Sequence, residues 1–374
     1  MRLLVLNYEF PPVGGGGGRA SAELCGALAA RGHEIRVLTA SLPAGEPAEQ
    51  AEGYQVIRVP SWRASRFVAT FIDMASYILV GVRPGLSQIR EWQPDLVHAH
   101  FAVPTGALAY ALSRWTGLPY ILTVHLGDVP GGVPEKTDRW FRFVDPFTPP
   151  IWRRAKKVVA VSQYTKQLAD ARYGVPVDVI PNGIELQHSQ AEPVSDPPRL
   201  IFAGRFQPQK NLPFLMDALD CVRDLPWQLE LVGDGHERAA IEEKTDQLGL
   251  QDRVIFRGWV TPSEVRRMLR ASDLLVMPSL SEGLPVVGVE ALAQGVAIAA
   301  TAAGGLAELV EDGRNGILCP VGDADGYIEG LRRCLSDRKV LAEMKAQSLR
   351  MAERYDIQRV ALSYERIFRE AAAA

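Results

Sequence analysis

The stretch PSLSEGLPVVGVEALAQG holds two acids, Glu282 and Glu290, with seven residues between them. Pro285 stands where a first helical residue is favoured. A helix starting there would turn unpaired backbone N–H groups outward at its amino end, a ready anion site. Eight helical steps rise ~12 Å, which is about the span from a ribose, across a diphosphate, to a sugar. A carboxylate accepts from two neighbouring hydroxyls at once, which suits ribose at one end and a hexose at the other. Upstream, FAGRFQPQKN places Arg205 and Lys210 just after an apolar run. A guanidinium there could grip a diphosphate bidentately, and an ammonium could add a point charge. Singly, each feature has a plain alternative: Glu282 as a surface cap, Glu290 as a solvated helix residue, the two cations as ordinary surface charge. Their conjunction points to a phosphorylated sugar carrier.

The elements that must position these groups are legible as alternating apolar runs and amphipathic segments, the mark of parallel sheet with crossover helices. In the first half strands are expected in LLVLNY, EIRVLTA, YQVIRVP, LVHAHF, YILTVH, KVVAVS and VDVIPN. In the second they are expected in LIFAGR, LELVGDG, VIFRGW, LLVMPS, VAIAAT and GILCP. The polar, proline-containing Gln190–Pro198 separates the two sets and resembles a linker. With 374 residues the chain exceeds one ordinary core. The expected fold is α/β: a Rossmann-like domain over 1–189, a second over 190–354, and a helix over 355–374 packing back on the first. Ligands of such sheets bind at the carboxyl ends of the strands, and two such domains are expected to face each other across a cleft.

Composition removes several function classes. Hydrophobic residues at 47% and charged residues at 23% are globular values. Lys+Arg 41 against Asp+Glu 44 lacks the basic excess that nucleic acid requires. The widely spaced Cys25, Cys221, Cys319 and Cys334 form no metal-ligand pattern and are expected to be reduced, buried thiols of a cytoplasmic protein. MRLLVLNYEF is too short an apolar run for a signal peptide, and no stretch reaches the ~20 apolar residues that span a bilayer. The nearest, Phe67–Val82, is interrupted by Asp73. A buried helix is the favoured reading of it; a surface helix touching membrane or a lipid acceptor is the alternative.

Three further motifs need weighing. Gly14 to Gly18 run consecutively before Arg19. Gly15-x-Gly17-x-x-Ala20 fits a dinucleotide fingerprint, but the second strand ends VLTAS without the acid that would hold a ribose, so NAD binding is disfavoured. His98 and His100 in HAHF are taken to alternate to opposite faces of a strand, which speaks against a metal site. Asp323-x-Asp325 resembles a metal-binding Asp-x-Asp, yet it precedes a helical segment far from the glutamates. One of those aspartates is expected to cap that helix, and no metal is expected.

Taken in order, HAHF, TVHLGD, VSQYTK, IPNGI, AGRFQPQKN, LVGDG, SEGLPVVGVEALAQG and AAGGLAELVEDGRNGIL resemble the retaining GT-B glycosyltransferases of family 4, over nearly the whole chain. The resemblance implies a nucleoside-diphosphate sugar as donor and no required cofactor. It assigns the donor ribose to Glu290, the transferred sugar to Glu282, and the diphosphate to Arg205 and Lys210 with backbone amides near Gly283 and Leu284. It lays the glycine loop, Gly15, Gly16 and Gly17, over the donor phosphate, where side chains would occupy space the substrates need; a run of five predicts a loop mobile until ligands bind. It brings His125 to the reacting sugar as a hydrogen-bond donor. Asp128 and Arg19 are candidate acceptor contacts.

Retention also comes from the resemblance; no carboxylate is well placed as a nucleophile, so same-face attack is favoured, with the leaving phosphate taking the acceptor's proton. Uracil is the favoured base, contacted near Arg257–Val260, and a GDP-mannose-dependent mannosyltransferase is the runner-up. HLGDVPGGVPE and the Trp62–Trp92 region are expected to shape the acceptor site, for a sugar, lipid-linked or polysaccharide acceptor, with peripheral contact at the inner membrane face as an option. Three rivals remain: a nucleotide-sugar epimerase on the same fold, an NAD-dependent oxidoreductase, and a non-catalytic sugar-nucleotide binder.

Overall fold

A computed structural model describes residues 1–42, 48–51, 53–66, 69–133, 144–187 and 190–373. Parts of the expected Phe67–Val82 segment, of HLGDVPGGVPE and of the boundary at 189 lie outside the described residues. The chain divides into two units, Met1–Gly183 with Ile357–Ala374, and Ile184–Asp356. The second unit begins at Ile184 rather than at the Gln190–Pro198 linker. The reason is that Ile184 donates its N–H to the Tyr355 carbonyl (2.8 Å) and bridges to Asp356, so the unit's two ends are stitched together.

The first unit holds β1 (Arg2–Leu6), β2 (Glu34–Ala40), β3 (Ala48–Ala51), β4 (Tyr54–Val59), β5 (Leu96–His100), β6 (Tyr120–Val124), β7 (Lys157–Ala160) and β8 (Val177–Val179). They form one sheet in the order β3-β4-β2-β1-β5-β6-β7-β8, parallel except for β3. All seven expected strands are present. The antiparallel edge strand β3 was not expected, because AEQA carries no apolar alternation. Helices α1 (Gly16–Ala30), α2 (Phe71–Trp92) and α3 (Ala107–Thr116) follow β1, β4 and β5.

One face of this sheet packs Leu24, Leu28, Tyr364 and Phe368 from α1 and the C-terminal helix Ile357–Ala373. The other packs Tyr77, Leu108 and Leu112 from α2 and α3. Gly81 and Gly85 let α2 approach α3 closely: a Cβ there would stand 2.7 and 2.8 Å from Leu108 and Leu112. The favoured reading of α2 as a buried helix needs correction. Its core-facing stripe is narrow, and Phe71, Ile72 and Leu79 (72% exposed) face solvent.

The second unit holds β9 (Arg199–Ala203), β10 (Gln228–Val232), β11 (Val254–Gly258), β12 (Leu274–Met277), β13 (Ala297–Thr301) and β14 (Gly316–Cys319), in the order β11-β10-β9-β12-β13-β14 and all parallel. These are the six expected strands. A buried ion pair, Lys345 Nζ to Asp273 Oδ1 at 2.6 Å, joins the Arg338–Ala352 helix to the turn before β12. Asp273 also accepts the Ser195 and Arg199 N–H groups, which fixes the entry into β9. Cys25, Cys319 and Cys334 are buried thiols as expected, whereas Cys221 is exposed at the end of its helix.

Candidate active site

In each sheet the order of strands reverses direction once, between β1 and β5 in the first unit and between β9 and β12 in the second. Crossover helices leave in opposite senses there, so the loops part and open a crevice beyond the carboxyl ends of the strands. Arg205, Lys210 and Glu282 lie on such loops of the second unit, and the glycine run follows β1 in the first.

In the second unit, Arg205 and Lys210 follow β9, and Glu282 follows β12. The β9 loop is braced from below: Gly204 donates to Val232 O (2.9 Å) and Phe206 to Asp234 O (2.9 Å). The glycines of LVGDG allow this, since a Cβ on Gly233 would stand 1.9 Å from the Gly204 carbonyl oxygen. Asn211 takes φ of 54°, a conformation asparagine tolerates better than most residues. It ends the short turn carrying Lys210 and starts the helix Leu212–Asp220. Lys210 Nζ then donates to Glu282 Oε1, which also accepts from Ser279 Oγ at 2.9 Å. Leu280 N–H donates to Gln209 O (2.7 Å), tying the two loops together through the backbone as well. The structure therefore brings Lys210 and Glu282 into direct contact, with half-buried Arg205 on the same loop.

Pro285 caps the helix Val286–Ala293 rather than opening it. Beneath Gly283 and Leu284 the chain closes up: Gly305 N–H donates to Glu282 O (3.0 Å), and a Cβ on Gly305 would lie 1.4 Å from the Gly283 carbonyl oxygen. Glu290 is not the solvated helix residue of the plain alternative: it is 0% exposed, with Arg266 Nη1 3.9 Å away. Its seven neighbours in that helix are mostly apolar and pull the whole helix into the core.

In the first unit the glycine run is not a loop throughout. Gly15 is the N-cap and Gly16–Gly18 form the first turn of α1. The space that side chains would fill is largely the protein's own. Gly14 has φ of 93°, a Cβ on Gly18 would stand 1.7 Å from Glu9 O, and one on Gly17 would meet Phe101 at 2.9 Å and His125 at 3.2 Å. At Gly15 the direction is open, with no atom within 4 Å. Arg19 lies half-buried one residue further along α1.

His125 directly follows β6, and its ring stacks on Phe101 at 4.3 Å between centroids. Phe101 adopts φ of 73°, uncommon for a side chain of that bulk, and no sequence signal pointed to it. Burial lowers the His125 imidazole to about 4, so it is neutral at neutral pH. Asp128 is not an open acceptor contact. Its two oxygens accept the N–H groups of Ala102 (2.8 Å) and His125 (2.8 Å), clamping the β5 and β6 loops together. Burial outweighs those amide hydrogen bonds and raises its carboxyl to about 7.

His98 and His100 do not point to opposite faces: residues two apart on a strand share one, and their ring centroids are 4.3 Å apart. His98 bonds Thr123 Oγ1 at 2.8 Å, and Thr123 meets Tyr364 Oη at 3.1 Å. Among the described residues no group of three His, Cys, Asp or Glu side chains could hold a metal ion. Asp323 accepts from Gly326 N–H (2.9 Å) and caps the helix Ala324–Ser336. No described helix is long and apolar enough to cross a membrane.

Two family models cover most of the chain: Glycosyltransferase Family 4 over residues 14–188 and Glycosyl transferases group 1 over residues 184–351. Glycogen synthase of Mycobacterium tuberculosis is 27% identical over 395 residues, covering 98% of this chain and 94% of that protein. Sucrose-phosphate synthase from Thermosynechococcus elongatus has the same fold, with a TM-score of 0.87 at 22% identity, covering 100% of this chain and 99% of that one. HepE of Anabaena, solved with UDP and glucose, gives a TM-score of 0.77 at 21% identity over 99% of each chain. With two Rossmann-like sheets, candidate groups in both units and family matches over residues 14–351, the chain is a glycosyltransferase of GT-B fold, joining a family 4 first unit to a group 1 second unit.

Proposed function

We propose that this glycosyltransferase moves a hexose from a UDP-sugar to a hydroxyl acceptor with retention of configuration. The observation that carries the donor half is the meeting of the Arg205–Lys210 loop with the Glu282 loop at the β9/β12 switch point. Breaking the glycosidic bond leaves negative charge on the diphosphate and positive character on the sugar ring. Arg205, Lys210 and the amides near Gly283 and Leu284 are fixed donors for the leaving oxygens, and preorganised donors are worth most where charge develops. Glu282 then accepts from sugar hydroxyls, keeping one oxygen engaged by Lys210 and Ser279. Glu290 is assigned the ribose, beside Arg266 Nη1 at 3.9 Å. In the first unit His125 donates to a sugar hydroxyl as a neutral imidazole, and Gly15 leaves room for a phosphate.

The runner-up donor is GDP-mannose. The names Glycogen synthase and Sucrose-phosphate synthase show how far acceptors diverge among similar proteins. For this chain a lipid-linked acceptor, handled in the cytoplasm at the inner membrane face, is favoured by one feature. Exposed Phe71 and Phe147 flank an apolar pocket of about 180 Å³ that Met74, Ile78 and Ile151 also line. The reaction is tested by thermal-shift screening against a panel of nucleotide sugars, followed by product analysis with the best binder. A UDP-hexose raising the melting temperature and releasing UDP with an α-linked product supports the proposal; selective stabilisation by GDP-mannose replaces the donor, and a β-linked product removes retention.

A further inference from the structure

His100 is 4% exposed, yet neither ring nitrogen has a hydrogen-bond partner among the described residues. Buried polar atoms are nearly always paired, and an orphan calls for a specific cause. Its neighbour His98 turns Nε2 to Thr123 and packs its ring against Tyr364 and Phe368. On the other side stands His125, whose Nε2 is likewise buried without a partner. The two ring centroids are 6.1 Å apart and the planes are tilted by 32°. That spacing is too long for a direct bond between the rings. It suits one oxygen between them, since a hydrogen-bonded oxygen lies roughly 4 Å from the centre of an imidazole when N···O is about 2.8–3.0 Å. Neutral imidazole has one donor and one acceptor nitrogen, and a hydroxyl oxygen both gives and takes a proton, so one small group can pair with a nitrogen of each ring.

We infer that His100 and His125 together grip a single hydroxyl-type oxygen, and that His100 is thereby a positioning residue that sets the orientation of His125. The oxygen comes from water in the free protein or from a hydroxyl of the bound sugar. Phe101, held at φ of 73° directly after His100 and stacked on His125, closes one side of this space. Gly17 closes another, its missing Cβ leaving the His125 ring free to stand there. Only the kinetic part of the inference rests on His125 being the sugar contact.

The structural test is a crystal structure of the full chain at a resolution that shows ordered water. An oxygen within hydrogen-bond distance of both rings is expected, and an empty space or a direct contact between the rings overturns the inference, whatever the enzyme's activity. Soaking with UDP-glucose distinguishes the sources: a retained water, or its replacement by a sugar hydroxyl. The kinetic test compares His100→Phe with His100→Asn, which keeps a donor and an acceptor. His100→Phe is expected to lower kcat on the order of 10- to 100-fold, with donor KM little changed, through misplacement of His125. His100→Asn should recover part of that rate, and His100→Phe should cost nothing further in a His125→Ala background. Parental kcat in His100→Phe, or full additivity with His125→Ala, overturns the positioning role. Should His100→Phe fail to fold, the Asn variant and the oxygen density decide. A parent protein inactive on every nucleotide sugar would count against the proposed donor chemistry, not against the gripped oxygen.

Discussion

The first unit surrounds the ends of β5 and β6 with buried imidazoles and an aromatic ring, whereas the second equips its switch point with a cluster of charges. Around β1, β5 and β6 stand imidazoles that burial keeps unprotonated, an aromatic ring at an unusual backbone angle, and glycines cut to fit them. Around β9 and β12 stand Arg205, Lys210, Glu282 and, beneath, the Arg266–Glu290 pair. The same sheet topology therefore carries two kinds of site. A developing diphosphate charge needs cations fixed in advance, while orienting uncharged hydroxyls needs donors and acceptors with no net charge. The anchors behind the sites differ too. The second unit uses the dry Lys345–Asp273 pair, the first a cluster in which Glu365 is met by Arg31 (2.6 Å) and His33 (3.2 Å) at the edge of the C-terminal helix.

The contrast between anchors gives the largest expected effect. Lys345→Ala leaves the Asp273 carboxylate buried without its cation and should destabilise the second unit by about 3–5 kcal/mol, read as a shift in denaturant midpoint. Glu365→Gln should cost clearly less, because Arg369 and Arg31 are partly exposed. Equal losses would erase the distinction. Next, Arg205→Ala should cut turnover about 100- to 1,000-fold, the cost of one preorganised donor, with the melting temperature held. A near-normal rate would remove the leaving-group role from the charged site.

Titration separates the units further. The Glu365 carboxyl is held at about 2, chiefly by its hydrogen bond from Arg31. A depressed carboxyl contributes stability above its unfolded value near 4.5, and that contribution is lost as pH falls towards about 2. Asp128, raised from 3.8 to about 7, has the opposite sign. The folded form holds the proton more tightly, so its contribution is present below pH 3.8 and is lost as pH rises through about 7. Melting temperatures across pH 2–8 should show both slopes. Glu365→Gln should flatten the acid one and Asp128→Asn the neutral one; a profile unchanged by Asp128→Asn refutes the raised carboxyl. The smallest effect sharpens the account of the glycine run. Gly15→Ala meets no protein atom, so it should leave stability nearly untouched and raise only donor KM. An unchanged KM means no ligand approaches there.

Much of the fold was legible because parallel strands buried on both faces must be written as short apolar runs. LLVLNY, LIFAGR and their counterparts carry that pattern, and all thirteen became strands. β3 was missed because an edge strand need bury little. Lys210 and Glu282 were legible as a pair because the loops that carry them follow recognisable strands. Phe101, Ser279, Gly305 and Arg266 were not, since nothing local marks a ring that stacks on a histidine or a glycine that admits a distant carbonyl.

Residue order alone therefore determined the strands of the two sheets and which strand ends carry charge; each depends on local periodicity and on residue types. Tertiary structure alone decided that Lys210 reaches Glu282, that Glu290 is sealed from solvent, and that Asp128 serves two backbone amides. The physical reason is that burial and pairing depend on what other segments bring within a few ångströms, which spacing along one segment does not encode.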